Sequence, residues 1–226
     1  METKRMAAVA AAAVAVSGAP VLTTSASAAT GVCAGVSSCT LVSRADVDGD
    51  GRSDQVGLVQ RASNPSGHTV IVRVRTAKGR TMTTSHTAWW YGSTWHGSAK
   101  VDGVAGHDMV VGTSVGAHYM EFRVITVRSG RLVTLRAPGG AYRWGVDSSY
   151  SFNQGWTRAV SSGKVSMTGR YAERRTGSTH DLTTRRYTWR SGAWSRISTK
   201  KSVVSTSTAY AAGGWRVPYL KRFPTF

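Results

Sequence analysis

The sequence predicts an all-β fold of about three repeated antiparallel β units, and three observations predict it. No segment sustains apolar residues at spacings of three and four, the signature of an amphipathic helix. Strict alternation marks runs such as Thr69-Val70-Ile71-Val72-Arg73-Val74-Arg75, and alternation with β-branched residues means a strand with one buried face. The third is a layout that recurs every roughly 50 to 60 residues: a strand ending in Arg, a glycine turn and a returning strand, at 74–80, 127–132 and 189–194. Each such unit needs a neighbour to bury its apolar face, so residues 44–201 read as a β-repeat domain. Three open units leave strand edges unpaired. An open array, a barrel-like collapse or closure by association with other copies would each manage the exposed edges.

From the N-terminus, the first element reads as a leader. Lys4 and Arg5 precede an unbroken small-apolar run from Met6 to Val16, and Ala26-Ser27-Ala28 supplies the small residues a signal peptidase accepts. Residues 1–28 are therefore expected to be a signal peptide cut after Ala28, since this run covers only about half of the ~20 residues that a membrane-crossing helix needs. The expected location is secreted or extracellular, with the cell wall as one site of retention, and the mature protein is expected to have no membrane span. Segment 29–43 holds the two cysteines, Cys33 and Cys39, which an oxidising compartment favours as a disulfide. So short a closed loop removes little chain entropy, so the bond would pin this segment rather than hold the fold together.

Next comes the most specific chemical feature, Asp46-Val47-Asp48-Gly49-Asp50-Gly51-Arg52-Ser53-Asp54. Carboxylates at positions 1, 3, 5 and 9, with the Arg52 carbonyl at position 7, are the hard oxygen donors that Ca2+ takes. Gly49 and Gly51 permit the tight turn that lets alternating carboxylates converge. An EF-hand would place a bidentate Glu at position 12, but Gly57 stands there and β-type residues flank the loop. The same pattern recurs without gaps 54 residues later, Ala45–Val56 aligning on Ala99–Val110. In this copy Lys100 and Val104 replace the first and third carboxylates while Asp102 and Asp108 remain, so no metal is expected and the Lys100 ammonium is a candidate substitute for the ion.

The Asp46–Asp54 motif followed by Gln55-Val56-Gly57-Leu58-Val59 resembles the calcium loops of FG-GAP and VCBS-type repeats, the units of integrin-α-like β-propellers. Trp95-His96-Gly97, Asp102-Gly103-Val104-Ala105-Gly106, Gly116-Ala117-His118 and Arg128-Ser129-Gly130-Arg131-Leu132 extend the likeness to small secreted bacterial proteins with such repeats, over about residues 41–135. The resemblance implies about three propeller-blade-like antiparallel β units of four strands each, fewer than the usual four to eight or so of a closed ring and so in an incomplete propeller or barrel-like arrangement. It also implies structural calcium at Asp46, Asp48, Asp50 and Asp54, and a binding surface rather than catalysis.

Between the first two units, Trp89, Trp90, Tyr91 and Trp95 form an aromatic cluster that could stack on sugars or bases, or bridge neighbouring units as core. Gly112-Thr113-Ser114-Val115-Gly116 matches G-x-S-x-G, the nucleophile elbow of α/β-hydrolases, but that elbow needs a helix after the serine, and Ala117–Val127 reads as a strand. His118 and His107, with Asp102, Asp108 and Glu121 near in sequence, have no established ligand spacing, and His118 reads as a hydrogen-bonding residue of the turn.

After removal of residues 1–28 the chain has 27 basic and 10 acidic residues, and the part from Ser151 onward contributes about +12 of the charge. Such a field attracts polyanions. Residues 202–226, rich in Ser, Thr, Ala and Gly and then basic, read as a loosely packed tail. The expected function is thus a secreted, calcium-stabilised, non-catalytic module that binds an anionic envelope polymer or a surface protein. A hydrolase using Ser114 and His118, and nucleic-acid binding through the basic C-terminal part, are the alternatives.

Overall fold

A computed structural model of the chain describes residues 31–63 and 67–225, so residues 1–28, expected to be a signal peptide, lie outside the described residues. Strands β1 (Cys39–Ala45), β2 (Asp54–Ser63), β3 (Gly67–Arg75) and β4 (Thr81–Ala88) form an antiparallel meander, each pairing with the next. A second meander follows in β5 (Trp95–Ala99), β6 (Asp108–Val115), β7 (Tyr119–Arg128) and β8 (Arg131–Leu135). After it run β9 (Trp144–Ser148), β10 (Phe152–Ser161), β11 (Lys164–Arg174), β12 (Thr179–Arg190) and β13 (Ala193–Ser205), then the short helix α1 (Thr206–Ala212) and β14 (Gly214–Arg216).

The chain is all-β, as its alternation predicts, but its later strands are not separate blades. The C-terminal half of β7 pairs with β8, from Val124 with Leu135 to Arg128 with Arg131, while its N-terminal half pairs with β9, from Tyr119 with Asp147 to Phe122 with Trp144. Two strands thus share one edge of β7. The second meander is thereby hydrogen-bonded into β9–β13, which with β14 on β10 makes a ten-stranded sheet, and neither sheet closes on itself.

The three glycine-turn hairpins form where the sequence places them. Ser129 and Gly130 (φ 48° and 69°) and Ser191 and Gly192 (48° and 78°) both use positive φ at two consecutive residues, the turn geometry whose twist matches that of paired strands. Ser162 and Gly163 (49° and 71°) make a further such turn between β10 and β11, where no arginine precedes the serine to complete the repeated layout.

Alternation in β3 buries Val70, Val72 and Val74, and these join Val56 and Leu58 of β2 and Met109, Val110, Phe122, Val124 and Ile125 of β6 and β7 in one apolar cluster. The two sheets therefore share a core, in which each buried Val, Leu, Ile or Phe contributes roughly 1.5–3 kcal/mol of transfer free energy. A line of aromatic rings runs through it: Trp90 to Phe122 (5.4 Å between centroids), Phe122 to Trp215 (5.7 Å), Trp215 to Trp144 (5.5 Å) and Trp144 to Trp156 (5.1 Å).

That line corrects the reading of residues 202–226 as a loose tail. Ser202 to Ser205 continue β13, Gly214–Arg216 pairs in parallel with Gly155–Thr157 of β10, and Trp215 is 1 % exposed. Further on, Leu220 lies against Gly97 of β5 and the Lys221 carbonyl is 3.0 Å from His96 Nε2, so the basic terminus covers the outer edge of the second meander. Composition misled here because Trp215 and Val217, not the Ser and Thr around them, decide the packing.

The disulfide joins Cys33 and Cys39, and its sulfurs lie over Gly57 of β2. Alongside it the Val32 amide donates to Gln55 Oε1 (2.9 Å) and Arg73 Nε donates to the Val32 carbonyl (3.0 Å), which anchors the N-terminal segment on β2 and β3.

Candidate functional site

The acidic loop connects β1 to β2 at one end of the first sheet. Its turn is built on Asp46, whose Oδ1 accepts from the amides of Gly49 (2.7 Å) and Asp50 (3.1 Å) and whose Oδ2 accepts from that of Gly51 (3.0 Å). The Asp50 amide also donates to Asp48 Oδ1 (3.2 Å), and the Arg52 amide to Asp50 Oδ1 (2.9 Å). Gly49 and Gly51 take φ of 80° and 82°, which other side chains resist. As a result one carboxylate oxygen each of Asp46, Asp48 and Asp50 lies within 4.8 Å of the others, in partly exposed positions. Hard oxygens so grouped fit a cation of the calcium type. The Arg52 side chain is exposed.

Asp54 is not part of that cluster. Its carboxylate is 1 % exposed and accepts from the amides of Val47 (2.9 Å), Asp48 (3.3 Å) and Ala77 (2.8 Å), tying the base of the loop to the β3–β4 turn. Lys78 next to it, which the sequence reading passed over, places Nζ 3.0 Å from Asp50 Oδ2. This ammonium, followed by the Arg52 amide, holds the Asp50 carboxyl below the usual carboxylate range. Partial burial and the nearby Asp54 charge push the Asp48 carboxyl up.

The second copy repeats the scaffold and changes its contents. Asp108 Oδ2 accepts from the amides of Val101 (2.8 Å) and Asp102 (3.3 Å), as Asp54 Oδ2 does from Val47 and Asp48, and Asp102 Oδ1 accepts from that of Val104 (2.7 Å) as Asp48 Oδ1 does from Asp50. The cation here is not Lys100, which is exposed. Instead the Arg128 guanidinium forms an ion pair with the buried Asp102 carboxylate, and Arg158 donates to the carbonyls of Val101 and Asp102, both at 3.2 Å. The long guanidinium arms reach in from β7 and β10, whereas sequence proximity drew attention to the neighbouring lysine. Burial raises the Asp102 carboxyl despite Arg128, and burial followed by the Asp102 charge pushes Asp108 up to about 6.

The two loops touch. The His107 amide donates to the Asp46 carbonyl (2.7 Å), and a Cβ on Gly106 would stand 2.8 Å from the Val47 carbonyl oxygen, so only glycine permits this approach. The His107 ring stacks against Tyr219.

The aromatic cluster divides between core and surface. Trp90 is buried against Phe122 and Trp95 packs at the edge of the core, while Trp89 and Tyr91 are 57 % and 74 % exposed. Ser114 lies within β6 opposite Glu121 of β7, not on a strand-to-helix turn. The glycines of its motif have structural work: a Cβ on Gly112 would stand 2.5 Å from the Trp90 ring, and the Gly116 amide closes the β6–β7 turn on the Tyr119 carbonyl (2.8 Å).

Among the described residues no hydrogen bond joins Ser114 to His118. The imidazole pairs instead with Asp147 of β9, its Nδ1 being 2.9 and 3.1 Å from the two carboxylate oxygens. Desolvation raises the Asp147 carboxyl, and His118 opposes that shift. His118 sits one β6 length, roughly 25 Å, from Asp102 and Asp108, so the imagined His–carboxylate cluster of these residues does not assemble. Asp147 escaped the sequence reading because its partner is 29 residues away on a non-consecutive strand.

Compared with protein-family models, curated proteins and solved structures, the chain finds no match in any of the three.

Proposed function

We propose that the chain is an exported β-repeat module of the FG-GAP/VCBS type, in which calcium held by Asp46, Asp48 and Asp50 stiffens the first meander. The observation that carries this reading is the convergence of three carboxylates on one loop of a strongly basic chain. Bound there, the ion would supply charge neutralisation and cross-link a loop that otherwise relies on amide donors and Lys78. Its role is structural, and the module's work is to bind an anionic partner at the cell surface. The internal copy at Asp102–Asp108 supports the repeat reading, since corresponding residues make corresponding hydrogen bonds in both loops. The wall as the place of retention and the absence of catalysis belong to the same proposal.

Thermal melting with calcium and with chelator tests it. Extracellular modules bind calcium with Kd of roughly 0.1–1 mM. At about 10 mM calcium, linkage then gives about 1.4–2.7 kcal/mol, or about 3–10 °C in Tm for a chain of this size. Asp50→Ala should abolish the rise. A melting temperature indifferent to calcium in the parent chain would refute the metal assignment.

A further inference from the structure

The sheet of β10–β13 has two faces. One carries Trp156, Met167, Tyr187 and Trp189 toward the interior. On the other, α1 covers Ala172, Leu182 and Val204, and the remainder is open to solvent. Near the hairpin end of this open face lies a groove of about 320 Å³ lined by Lys164, Ser166, Arg186, Thr188, Arg190 and Ile197. Ser166 and Thr188 are cross-strand partners at its floor, 7 % and 8 % exposed. Lys164 opens β11 and Arg190 closes β12, each two residues beyond that last pair of the β11–β12 ladder, and with Arg186 they line the groove. Like charges gathered on one sheet face are destabilising, and an anion between them relieves that. Among the described residues none of these three cations has a carboxylate partner.

Two blander explanations account for other charges but not these. Arg196, Lys200 and Lys201 lie on β13, an edge strand, where cations prevent edge-to-edge pairing. Arg216 and Arg222 donate to the carbonyls of Ala211 and Tyr210 at the end of α1, where a helix presents unsatisfied acceptors. Arg186 and Arg190 belong to β12, which is paired on both sides, and have no such task.

We propose that this groove binds a phosphate-bearing polyol chain, the anionic polymer that the proposed function calls for, with Lys164, Arg186 and Arg190 on its phosphates and Ser166 and Thr188 toward its hydroxyls. Guanidinium forks match the oxygens of a phosphate, and serine and threonine hydroxyls exchange donor and acceptor roles with those of a polyol. No aromatic side chain lines the groove, so it lacks the stacking platform on which single-stranded nucleic acids rest. Arg186 and Arg190, four residues apart on one face, are separated by about 13 Å at 3.3–3.4 Å per residue. A flexible chain can set two of its phosphates on cations so spaced while its hydroxyls pass over Thr188 between them.

This inference rests on the proposed function, and the test separates the two. Binding of purified full chain to short polyglycerol phosphate is measured by titration across a salt series in calcium-containing buffer, with poly(dT), polygalacturonate and neutral dextran as the other probes. The expected result is that Arg186→Gln with Arg190→Gln weakens polyglycerol phosphate binding at least tenfold. The log–log salt slope should fall by about 1.4, two contacts at ~0.7 each. Arg131→Gln, an exposed charge at the start of β8, should leave both unchanged. If the double variant binds like the parent chain, the groove is the wrong site and the anionic-partner reading survives. Equal or tighter binding of poly(dT) or polygalacturonate through the same two residues would overturn the choice of polymer. A parent chain that retains none of the anionic probes at low salt overturns both.

Discussion

The loops at Asp46–Asp54 and Lys100–Asp108 share a scaffold and differ in what neutralises it. In each, a buried aspartate at the start of the second strand gathers the amides of the residues seven and six positions earlier: Asp54 those of Val47 and Asp48, Asp108 those of Val101 and Asp102. Above that base the first loop leaves three carboxylates together near solvent, with Lys78 on one of them. The second keeps one carboxylate, buries it, and covers it with Arg128 and Arg158. A turn of this shape thus has its anchoring carboxylate in both copies, while the positive charge above it comes from Lys78 in one and from Arg128 and Arg158 in the other.

The largest effect expected from this comparison falls on the anchor. Asp54→Ala would leave the amides of Val47, Asp48 and Ala77 without their acceptor, at a cost of roughly 3–5 kcal/mol for buried donors to a charged group. Because Asp54 stands apart from the converging triad, the loss should be present in chelator as well as in calcium. Denaturant titration under both conditions measures it. A loss seen only with calcium would return Asp54 to the ligand set.

That distinction marks how far the sequence could be read. Alternation, the Arg–glycine hairpins and the 54-residue offset are local patterns, and the strands, turns and paired loops they predict are all present. Within the loop, spacing alone could not separate Asp54 from Asp46, Asp48 and Asp50, since all four are oxygen donors at regular intervals. What distinguishes Asp54 is burial against Ala77, a contact across 23 residues. The same limit hid Arg128 behind Lys100, Asp147 from His118, and Trp215 within a polar tail. Each depends on which non-consecutive strands meet, and β7 pairing with both β8 and β9 is not written in any short segment.

In the second loop, Arg128→Met should cost about 3 kcal/mol by leaving the Asp102 carboxylate buried with its ion partner gone, which equilibrium unfolding at neutral pH will show. Calcium should not restore it, since above its base this loop keeps the single carboxylate of Asp102 where the first loop converges three. Recovery in calcium would mean that the two loops differ less than their side chains suggest.

A smaller effect appears with pH. Burial and the Asp102 charge push the Asp108 carboxyl up to about 6, against the ordinary 3.8. Between those values the folded chain holds a proton that the unfolded chain has released, so this group's contribution to stability falls as pH rises from about 4 to about 6 and is constant above. The size is on the order of 2–3 kcal/mol. Asp108→Asn should flatten that part of the stability–pH curve, and an unchanged slope would place the proton elsewhere.

The smallest effect tests whether Lys78 and calcium compete for one place. The ammonium is largely exposed and its bond to Asp50 is of the surface kind, so Lys78→Gln should leave the chelated protein's melting temperature nearly unchanged. Calcium affinity, however, should tighten severalfold, because the ion would no longer have to displace a cation from Asp50 or share the loop with it. Isothermal titration in parent and variant gives the comparison directly. Were Lys78 to help hold the loop ready for the ion, the substitution would weaken calcium binding instead, and the first loop would then depend on a fixed side-chain cation just as the second does.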